Sequence, residues 1–145
     1  TLYGALLAPR KLDPSKRYPL VQMVYGGPGV QTIQNRWMPR LAWQHLADRG
    51  FFVMQIDNRG TAGRGPAFEA PIDRKLGEVE LADQLAALEH VLAKYPIDAK
   101  RTAIYGHSYG GFMAAYAMLV KPGRYKSAIA ASPVTDWRLY DTGYT

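Results

Sequence analysis

The sequence predicts an α/β domain with a mostly parallel sheet and helices on both of its faces. Two observations favour this class. Short apolar runs of strand length alternate along the 145 residues with longer segments whose apolar residues recur at helical intervals. Several of the short runs are almost continuously apolar, as is typical of strands that are covered on both faces of a sheet.

The apolar runs predict five strands. The first ends before Pro9, and the second, YPLVQMVY, is broken only by Gln22 and stopped by a Gly-Gly-Pro-Gly turn. The third, FFVMQI, precedes a loop rich in glycine and proline, and the last two, TAIY and SAIAA, are shorter. In order, the predicted strands cover residues 2–8, 18–25, 51–56, 102–105 and 127–131.

Helical spacing predicts three helices between these strands. The middle helix is the clearest, and its apolar stripe consists of Leu81, Leu85, Leu88, Leu92 and Tyr95. Acidic residues come early in that segment and Lys94 comes late, which matches the helix dipole. The first helix is expected over residues 35–49, with Gly50 as its C-cap, and the third over residues 112–120.

The composition excludes several classes of protein. With 48% hydrophobic residues and no cysteine, the chain is neither disordered nor a disulfide scaffold, and we expect one domain or part of one. No continuous apolar run approaches the ~20 residues that a membrane span needs. The 18 Lys and Arg residues give a net charge of +6 but are scattered along the chain, so we expect a solvated surface and no nucleic-acid partner.

No pattern for a bound cofactor or metal is present, and we expect the protein to need none. The metal-binding signatures H-E-x-x-H, paired cysteines and the calcium loop are all missing. The glycine-rich loop at residues 60–65 reads G-x-x-G-x-G, whereas dinucleotide sites read G-x-G-x-x-G. No helix is expected to open directly from this loop, so we reject a nucleotide site.

One motif carries a specific chemistry. Gly106-His107-Ser108-Tyr109-Gly110 fits the pattern G-x-S-x-G, with a predicted strand before it and a predicted helix after it. In α/β-hydrolase folds this turn places the serine at the top of the sheet, where flanking side chains would clash. A chance match in a glycine-rich turn is the alternative, and the strand and helix disfavour it. The sequence therefore predicts the N-terminal part of an α/β-hydrolase fold with Ser108 as the nucleophile.

A nucleophilic serine needs a base and an acid that orients the base, and the chain offers neither in the usual order. The triad of this fold runs serine, acid, histidine, but His45 and His90 precede Ser108 and His107 adjoins it. The aspartates after the fifth strand come one strand too early for the acid. We expect the catalytic acid and base beyond residue 145, so that this chain is a partial catalytic domain, inactive by itself.

Tyr25 ends the second strand, and in this fold the loop after that strand helps to build the oxyanion hole. Its phenol could donate a hydrogen bond to the oxyanion, with the backbone N–H of Tyr109 as a second donor. A structural tyrosine beside a tight turn explains the spacing equally well. The sequence pattern leaves both interpretations open.

Aromatic residues are concentrated after the fifth strand. Trp137, Tyr140 and Tyr144 step by three and four residues, so successive helical turns would present one aromatic face. A stripe that faces the core is the simpler explanation. Flat aromatic walls that keep a hydroxyl also suit a pyrrolidine ring, which makes a proline pocket the alternative.

Taken together, these motifs resemble the prolyl oligopeptidase family of serine peptidases, and most closely its dipeptidyl peptidase IV-like branch. The resemblance covers nearly the whole chain. The segments that carry it are YPLVQMVYGGPG, DNRGTAGRGPAFE, RKLGEVELADQLAALEHVL, KRTAIYGHSYGG and SPVTDWRLYDTGYT. The last segment is the most discriminating, because many hydrolases share G-x-S-x-G.

The resemblance implies a role for each matching residue. Ser108 would be the acylating nucleophile, and the Tyr25 phenol and the Tyr109 amide would stabilise the oxyanion. His107 stands where the mammalian enzyme has tryptophan, at a position expected to face away from the nucleophile. The walls of a pocket for proline, and less well alanine, at P1 (the substrate residue before the cleaved bond) would be Tyr109, Val134, Trp137, Tyr140 and Tyr144.

The activity that the resemblance implies is the release of N-terminal dipeptides with proline or alanine at P1. Family members carry a β-propeller before the hydrolase domain, and we expect one upstream of this chain. An acylaminoacyl peptidase or esterase of the same fold is the alternative, and a non-catalytic binding protein of this fold is the second. The expected partners are a peptide substrate and, for the full-length form, a second copy in a homodimer. Bacterial members of the branch are often periplasmic, which favours the periplasm over the cytoplasm.

Overall fold

A five-stranded sheet forms the centre of the computed structural model, which describes residues 1–142 of the chain. The strand order is β1-β3-β2-β4-β5, and only β1 runs antiparallel to its neighbour. The strands are β1 (Tyr3–Leu7), β2 (Tyr18–Val24), β3 (Phe52–Asp57), β4 (Ile97–His107) and β5 (Ser127–Ala131). The predicted mostly parallel sheet is confirmed.

The helices follow the predicted order, with shorter helical turns added. The α-helices are α1 (Leu41–Asp48), α2 (Pro66–Glu69), α3 (Glu78–Lys94) and α4 (Tyr109–Val120). Single 3₁₀ turns cover Ala70–Ile72 and Trp137–Leu139. Between β2 and α1 the structure differs from the prediction, because residues 35–40 are irregular. Pro39 explains the late start of α1, since proline disfavours helical conformation in the residue before it.

The glycine-rich loop at residues 60–65 corrects a second expectation. A four-residue helix, α2, opens directly from Gly65, with Pro66 at its first position. Proline suits that position, because its fixed φ is already helical and its missing N–H would have no partner inside the helix. The glycine order still differs from the dinucleotide fingerprint, so the correction concerns the local fold alone.

Strand β4 is longer than the four residues predicted, because a polar stretch at its start does not interrupt the pairing. Ile97 pairs with Tyr18, and Thr102 pairs with Leu20, so the register shifts between the two points. The side chains of residues 99–101 are exposed at this irregularity. The apolar run at residues 102–105 therefore predicted only part of the second half of β4.

Helices cover both faces of the sheet, as predicted. Alternate side chains of a strand point to opposite faces. On one face, α3 and α4 enclose the main apolar core, in which Met54 and Ile104 of the sheet meet Leu88 of α3 and Met113 of α4. α1 lies on the other face and packs against β3 and β1, and residues of α1 and of the sheet line an open cleft of about 1060 Å³.

The described residues contain neither a membrane-spanning helix nor a cluster of metal-ligating side chains. No helix in residues 1–142 is both long enough and apolar enough to cross a bilayer. The same residues contain no group of three or more histidine, aspartate or glutamate side chains placed to hold a metal ion.

Candidate active site

Ser108 lies at a sharp turn between the end of β4 and the start of α4. Its backbone has φ 58° and ψ −119°, a region that side-chain-bearing residues rarely adopt. The Ser108 N–H donates to the carbonyl oxygen of Ala131 at 2.9 Å, which fixes the turn to the end of β5. Serine is a favoured N-cap residue, yet its side chain makes no capping hydrogen bond to α4. The hydroxyl is therefore not used in holding its own helix.

The two glycines of the motif are required by close backbone contacts. A Cβ added to Gly106 would lie within 3.0 Å of the Gly110 backbone. A Cβ added to Gly110 would lie within 3.0 Å of the Val24 carbonyl oxygen. The strand before Ser108 and the helix after it match the prediction, although α4 begins at Tyr109 instead of residue 112.

Tyr25 lies beside this turn, because β2 and β4 are neighbours in the sheet. Val24 pairs with Gly106, and a Cβ on Gly110 would be 3.1 Å from the Tyr25 Cα. The ring of Tyr25 is 6.1 Å from that of Tyr109, centroid to centroid. The structure thus brings Ser108 close to Tyr25 and Tyr109, the two residues predicted to supply the oxyanion donors.

Tyr109 has two distinct parts in this site. As the first residue of α4, it belongs to the helical turn whose N–H groups point out of the helix N-terminus. Its side chain is only 1% exposed, and its phenol donates a hydrogen bond to the carboxylate of Glu80. The ring, predicted as a pocket wall, is packed at the base of the site with its hydroxyl in the core.

The aromatic residues after β5 meet around Trp137. Its ring lies 5.4 Å from Tyr109, 5.9 Å from Tyr140 and 5.1 Å from Phe112. The predicted spacing brings Trp137 and Tyr140 together, but on a single 3₁₀ turn instead of successive helical turns. Val134 precedes this turn and is partly exposed. Tyr144, the fifth predicted wall residue, lies outside the described residues.

Residues 37–145, most of the chain, match the sequence model of the prolyl oligopeptidase family. The chain belongs to the prolyl oligopeptidase family. This result confirms the resemblance drawn from the motifs, and the family's members are serine peptidases.

Relatives in the prolyl oligopeptidase family include two human proteins. Dipeptidyl peptidase 8 is 43% identical over all of this chain, which corresponds to 16% of that protein. Prolyl endopeptidase FAP is 37% identical over all of this chain and 19% of its own length. The chain therefore spans about a sixth to a fifth of the relatives that it matches.

A solved structure from the same family confirms the fold. A Bacteroides ovatus protein described as a dipeptidyl aminopeptidase IV superposes with a TM-score of 0.93 at 36% sequence identity. The superposition covers 97% of this chain and 20% of that protein. The sheet and helices described above are thus those of an α/β-hydrolase-like peptidase domain.

The three histidines of the chain lie on three different elements of the fold. His45 lies on α1, His90 on α3, and His107 at the end of β4. His107 and His45 line the cavity beside α1, together with Tyr25, whereas Ser108 does not. Within residues 1–142, no histidine forms a hydrogen bond with Ser108. The cavity is consequently not the predicted proline pocket.

The two aspartates after β5, Asp136 and Asp141, lie on either side of the 3₁₀ turn. Asp136 accepts hydrogen bonds from the backbone N–H and the guanidinium of Arg138, the shortest being 2.6 Å. The side-chain bond from Arg138 is the main reason that the pKa of Asp136 is lowered. Asp141 follows the 3₁₀ turn and is exposed. Asp136 therefore holds its own turn in shape.

Three residues that support the site were missed from the sequence. The Asp57 carboxylate accepts bonds from the N–H groups of Thr32 and Ile33 at 3.0 and 2.8 Å. The Asn58 side-chain amide donates to the Gly26 carbonyl oxygen at 2.9 Å, next to Tyr25. Glu80 holds Tyr109. A signal existed for the first two, since polar residues directly after a buried parallel strand lie at the edge where sites form.

Proposed function

We propose that the full-length protein is a serine peptidase that releases N-terminal dipeptides with proline or alanine at P1. The observation that carries this proposal is the strained backbone of Ser108 beside a cluster of aromatic rings. Strain at a single residue is a feature of functional sites, because the surrounding structure must hold it in place. The names of the relatives, two dipeptidyl peptidases and a prolyl endopeptidase, support the same reaction class.

In the proposed reaction, the Ser108 hydroxyl oxygen attacks the carbonyl carbon of the P1 residue. A histidine base takes the hydroxyl proton and then gives it to the leaving amine as the peptide C–N bond breaks. The dipeptide remains as an ester on Ser108. A water molecule, deprotonated by the same base, then releases the dipeptide acid and restores the hydroxyl.

The oxyanion of each tetrahedral intermediate would be stabilised from two sides. The Tyr25 phenol is the proposed side-chain donor, since the Tyr25 backbone packs directly against the turn that carries Ser108. The Tyr109 N–H is the proposed backbone donor, and it lies at the positive end of the α4 dipole. Donors held in place before the reaction cost no reorganisation when charge develops.

The proposed P1 pocket is walled by Tyr109, Val134, Trp137, Tyr140 and Tyr144. In its described part, the rings of Trp137 and Tyr140 meet nearly at a right angle, at 76°, and the buried ring of Tyr109 packs against Trp137, which supports an angled apolar slot. A pyrrolidine ring would contact more of these surfaces than a methyl group does. Proline should therefore be preferred over alanine.

The rest of the machinery is proposed to come from other parts of the full-length protein. This chain spans 16–20% of the relatives and of the solved structure cited above, so most of such a protein lies outside it. We assign the histidine base and its aspartate to residues after Thr145. We assign the group that binds the free amino terminus of the substrate to a β-propeller before Thr1.

Chromogenic substrates test this proposal on the full-length protein. We expect hydrolysis of a Gly-Pro anilide, slower hydrolysis of a Gly-Ala anilide, and little hydrolysis of Gly-Pro with a blocked amino terminus. Ser108→Ala should abolish the activity, whereas Ser15→Ala, which alters an exposed loop serine, should not. Preference for the blocked peptide or for an acyl ester would favour an endopeptidase, an acylaminoacyl peptidase or an esterase. No turnover of any substrate would favour a binding protein.

A further inference from the structure

Glu80 is a fully buried carboxylate directly beneath the residue that follows the nucleophile. It is 0% exposed, and one of its oxygens accepts the phenol hydrogen of Tyr109. The other oxygen accepts the N–H of Gly77, at the start of α3, at 2.9 Å. The carboxylate therefore joins the first turn of α3 to the first residue of α4.

The surroundings of Glu80 hold it without a cationic partner among residues 1–142. Its acidic neighbour Asp83 is paired with Arg59 at 2.7 Å, so that guanidinium is already engaged. Burial raises the pKa of Glu80, while the bonds from Tyr109 and Gly77 lower it in part. A buried carboxyl is costly unless hydrogen bonds satisfy it. Only one carboxylate oxygen of Glu80 is needed to cap α3, and the other binds the Tyr109 phenol.

The ring that Glu80 holds is enclosed on its other sides by the candidate site. A Cβ on Gly27 would be 2.5 Å from the Tyr109 Cγ, so the ring packs on the backbone of the Gly-Gly-Pro-Gly turn. Phe112 and Trp137 each lie 5.4 Å from it, centroid to centroid. A tilt of this ring would consequently displace the pocket wall and the turn that follows Tyr25.

We propose that Glu80 is a positioning residue that acts through Tyr109. The carboxylate fixes the phenol, and the fixed ring keeps the P1 wall and the Tyr109 N–H in register with Ser108. The kinetic consequence rests on the function proposed above. The positional consequence does not, since it concerns only where the ring lies.

A double-mutant cycle on the full-length protein tests whether Glu80 affects kcat/KM through the Tyr109 side chain. Glu80→Leu should lower kcat/KM for the Gly-Pro anilide by about 10- to 100-fold, the range expected for a misplaced site, and by less for Gly-Ala. Glu80→Gln keeps one acceptor oxygen and should lose less than Glu80→Leu. In a Tyr109→Phe background, where the bond is already absent, Glu80→Leu should cost less than about threefold more. Glu78→Gln, which removes an exposed charge from the same helical turn, is the matched control and should leave kcat/KM unchanged.

Two kinetic results would overturn the proposal. The first is an equal effect of Glu80→Leu with and without the Tyr109 hydroxyl, which would reduce Glu80 to a cap of α3. The second is a kcat/KM within about twofold of the parent for both Glu80 variants. If Glu80→Leu does not fold, the same cycle is run with Glu80→Gln and is judged by the same two results.

Crystal structures of the full-length variants separate this proposal from the proposed function. The separation of the Tyr109 and Trp137 rings, 5.4 Å here, should be kept in Glu78→Gln and changed in the Glu80 variant. A moved ring in a protein without peptidase activity would reject the proposed function and keep the positional role. An unmoved ring would reject the positional role whatever the activity.

Discussion

Ser108, the proposed nucleophile, has an unfavourable backbone conformation. Its positive φ costs roughly 1–3 kcal/mol for a residue with a Cβ, and glycine adopts it without that cost. The neighbouring close contacts at Gly106 and Gly110 hold the turn in this shape. We therefore expect Ser108 to lower the free energy of unfolding of the domain, because the turn holds its hydroxyl in place at the cost of backbone strain.

Replacing Ser108 should separate stability from activity. We expect Ser108→Gly to be more stable than Ser108→Ala by about 1 kcal/mol, because only alanine keeps the backbone strain. Both should lack peptidase activity. Thermal unfolding midpoints of the full-length variants measure the difference. At Ser127, in β5, glycine should instead be the less stable of the two. The account of strain fails if glycine is also the less stable at position 108.

The Tyr25 phenol should act on the chemical step. Tyr25→Phe keeps the ring and removes the donor, so we expect kcat to fall by about 10²–10³-fold with a smaller change in KM. Steady-state kinetics on the Gly-Pro anilide measure both constants. Tyr3→Phe, at an exposed tyrosine, is the control. An unchanged kcat would return Tyr25 to a structural role beside the turn.

The raised pKa of Glu80 makes a prediction for stability against pH. The folded protein binds more protons than the unfolded chain between the ordinary glutamate pKa and the raised one. This contribution to stability is complete below the ordinary pKa and is lost as the pH rises through the raised value. The thermal midpoint of the full-length protein should therefore fall relative to that of Glu80→Gln as the pH rises above the ordinary glutamate pKa.

Other charged groups near Glu80 do not reverse this sign. Asp83 raises its pKa further, and Arg59 is held by Asp83. The exposed Glu78→Gln change should leave the midpoint difference constant over the same pH range. A parent protein that gains stability over Glu80→Gln with rising pH would contradict the assignment.

Strands and helices whose apolar residues recur at one regular spacing were predictable from the sequence. Element boundaries that depend on a nearby proline or on a turn were not. β5 was predicted to the residue, and the leucine stripe gave α3 to within three residues at its start. The start of α1 depends on Pro39, whose local effect a helical spacing does not show. The 3₁₀ turn at Trp137 brings two of the expected rings, those of Trp137 and Tyr140, together by a shorter repeat than the α-helix assumed. Element type was thus encoded locally, whereas element ends depended on turn chemistry.

A buried polar network joins α3 to the strands beneath it. Gln84 donates to the Asn58 side-chain oxygen at 2.8 Å and accepts from the Gln22 amide at 2.6 Å. Tyr125 donates to the Gln22 oxygen at 2.8 Å. Asn58 in turn binds the Gly26 carbonyl oxygen. The network ends beside Tyr25, so it supports the loop that carries the proposed oxyanion donor.

Removing the centre of this network should be costly. Gln84→Leu leaves buried groups of Gln22 and Asn58 without their partners, which we expect to destabilise the domain by about 2–3 kcal/mol. Chemical denaturation of the full-length protein measures the loss. Gln44→Leu, at a glutamine of α1 with one weak bond to Asp48, should change stability by less than about 0.5 kcal/mol. Equal effects of the two changes would show that the network adds no stability.

At the scale of the whole molecule, the site is a consequence of sheet order. β3, β2 and β4 are adjacent and parallel, so the residues that follow them meet at one edge. These residues are Asn58, Tyr25 and Ser108. The G-x-S-x-G motif predicted the third, whereas the sequence pattern left the role of Tyr25 open and the family resemblance assigned it.

The contacts that hold the site could not be predicted, because they join residues far apart in the chain. Glu80 and Tyr109 are separated by 29 positions, and neither pattern points to the other. Glu80, Gln84 and Leu88 follow one another at intervals of four residues and all lie on the buried face of α3. That spacing marks a buried carboxyl, but the partner becomes known only when α3 and α4 are packed.

The most direct test of the account is covalent labelling of the full-length protein with a fluorophosphonate, followed by mass mapping of the modified peptide. The reagent reacts with an activated serine and needs no knowledge of the natural substrate. We expect one label, on Ser108, that is absent from Ser108→Ala and retained in Ser15→Ala. A protein that stays unlabelled, or carries the label on another serine, would contradict it.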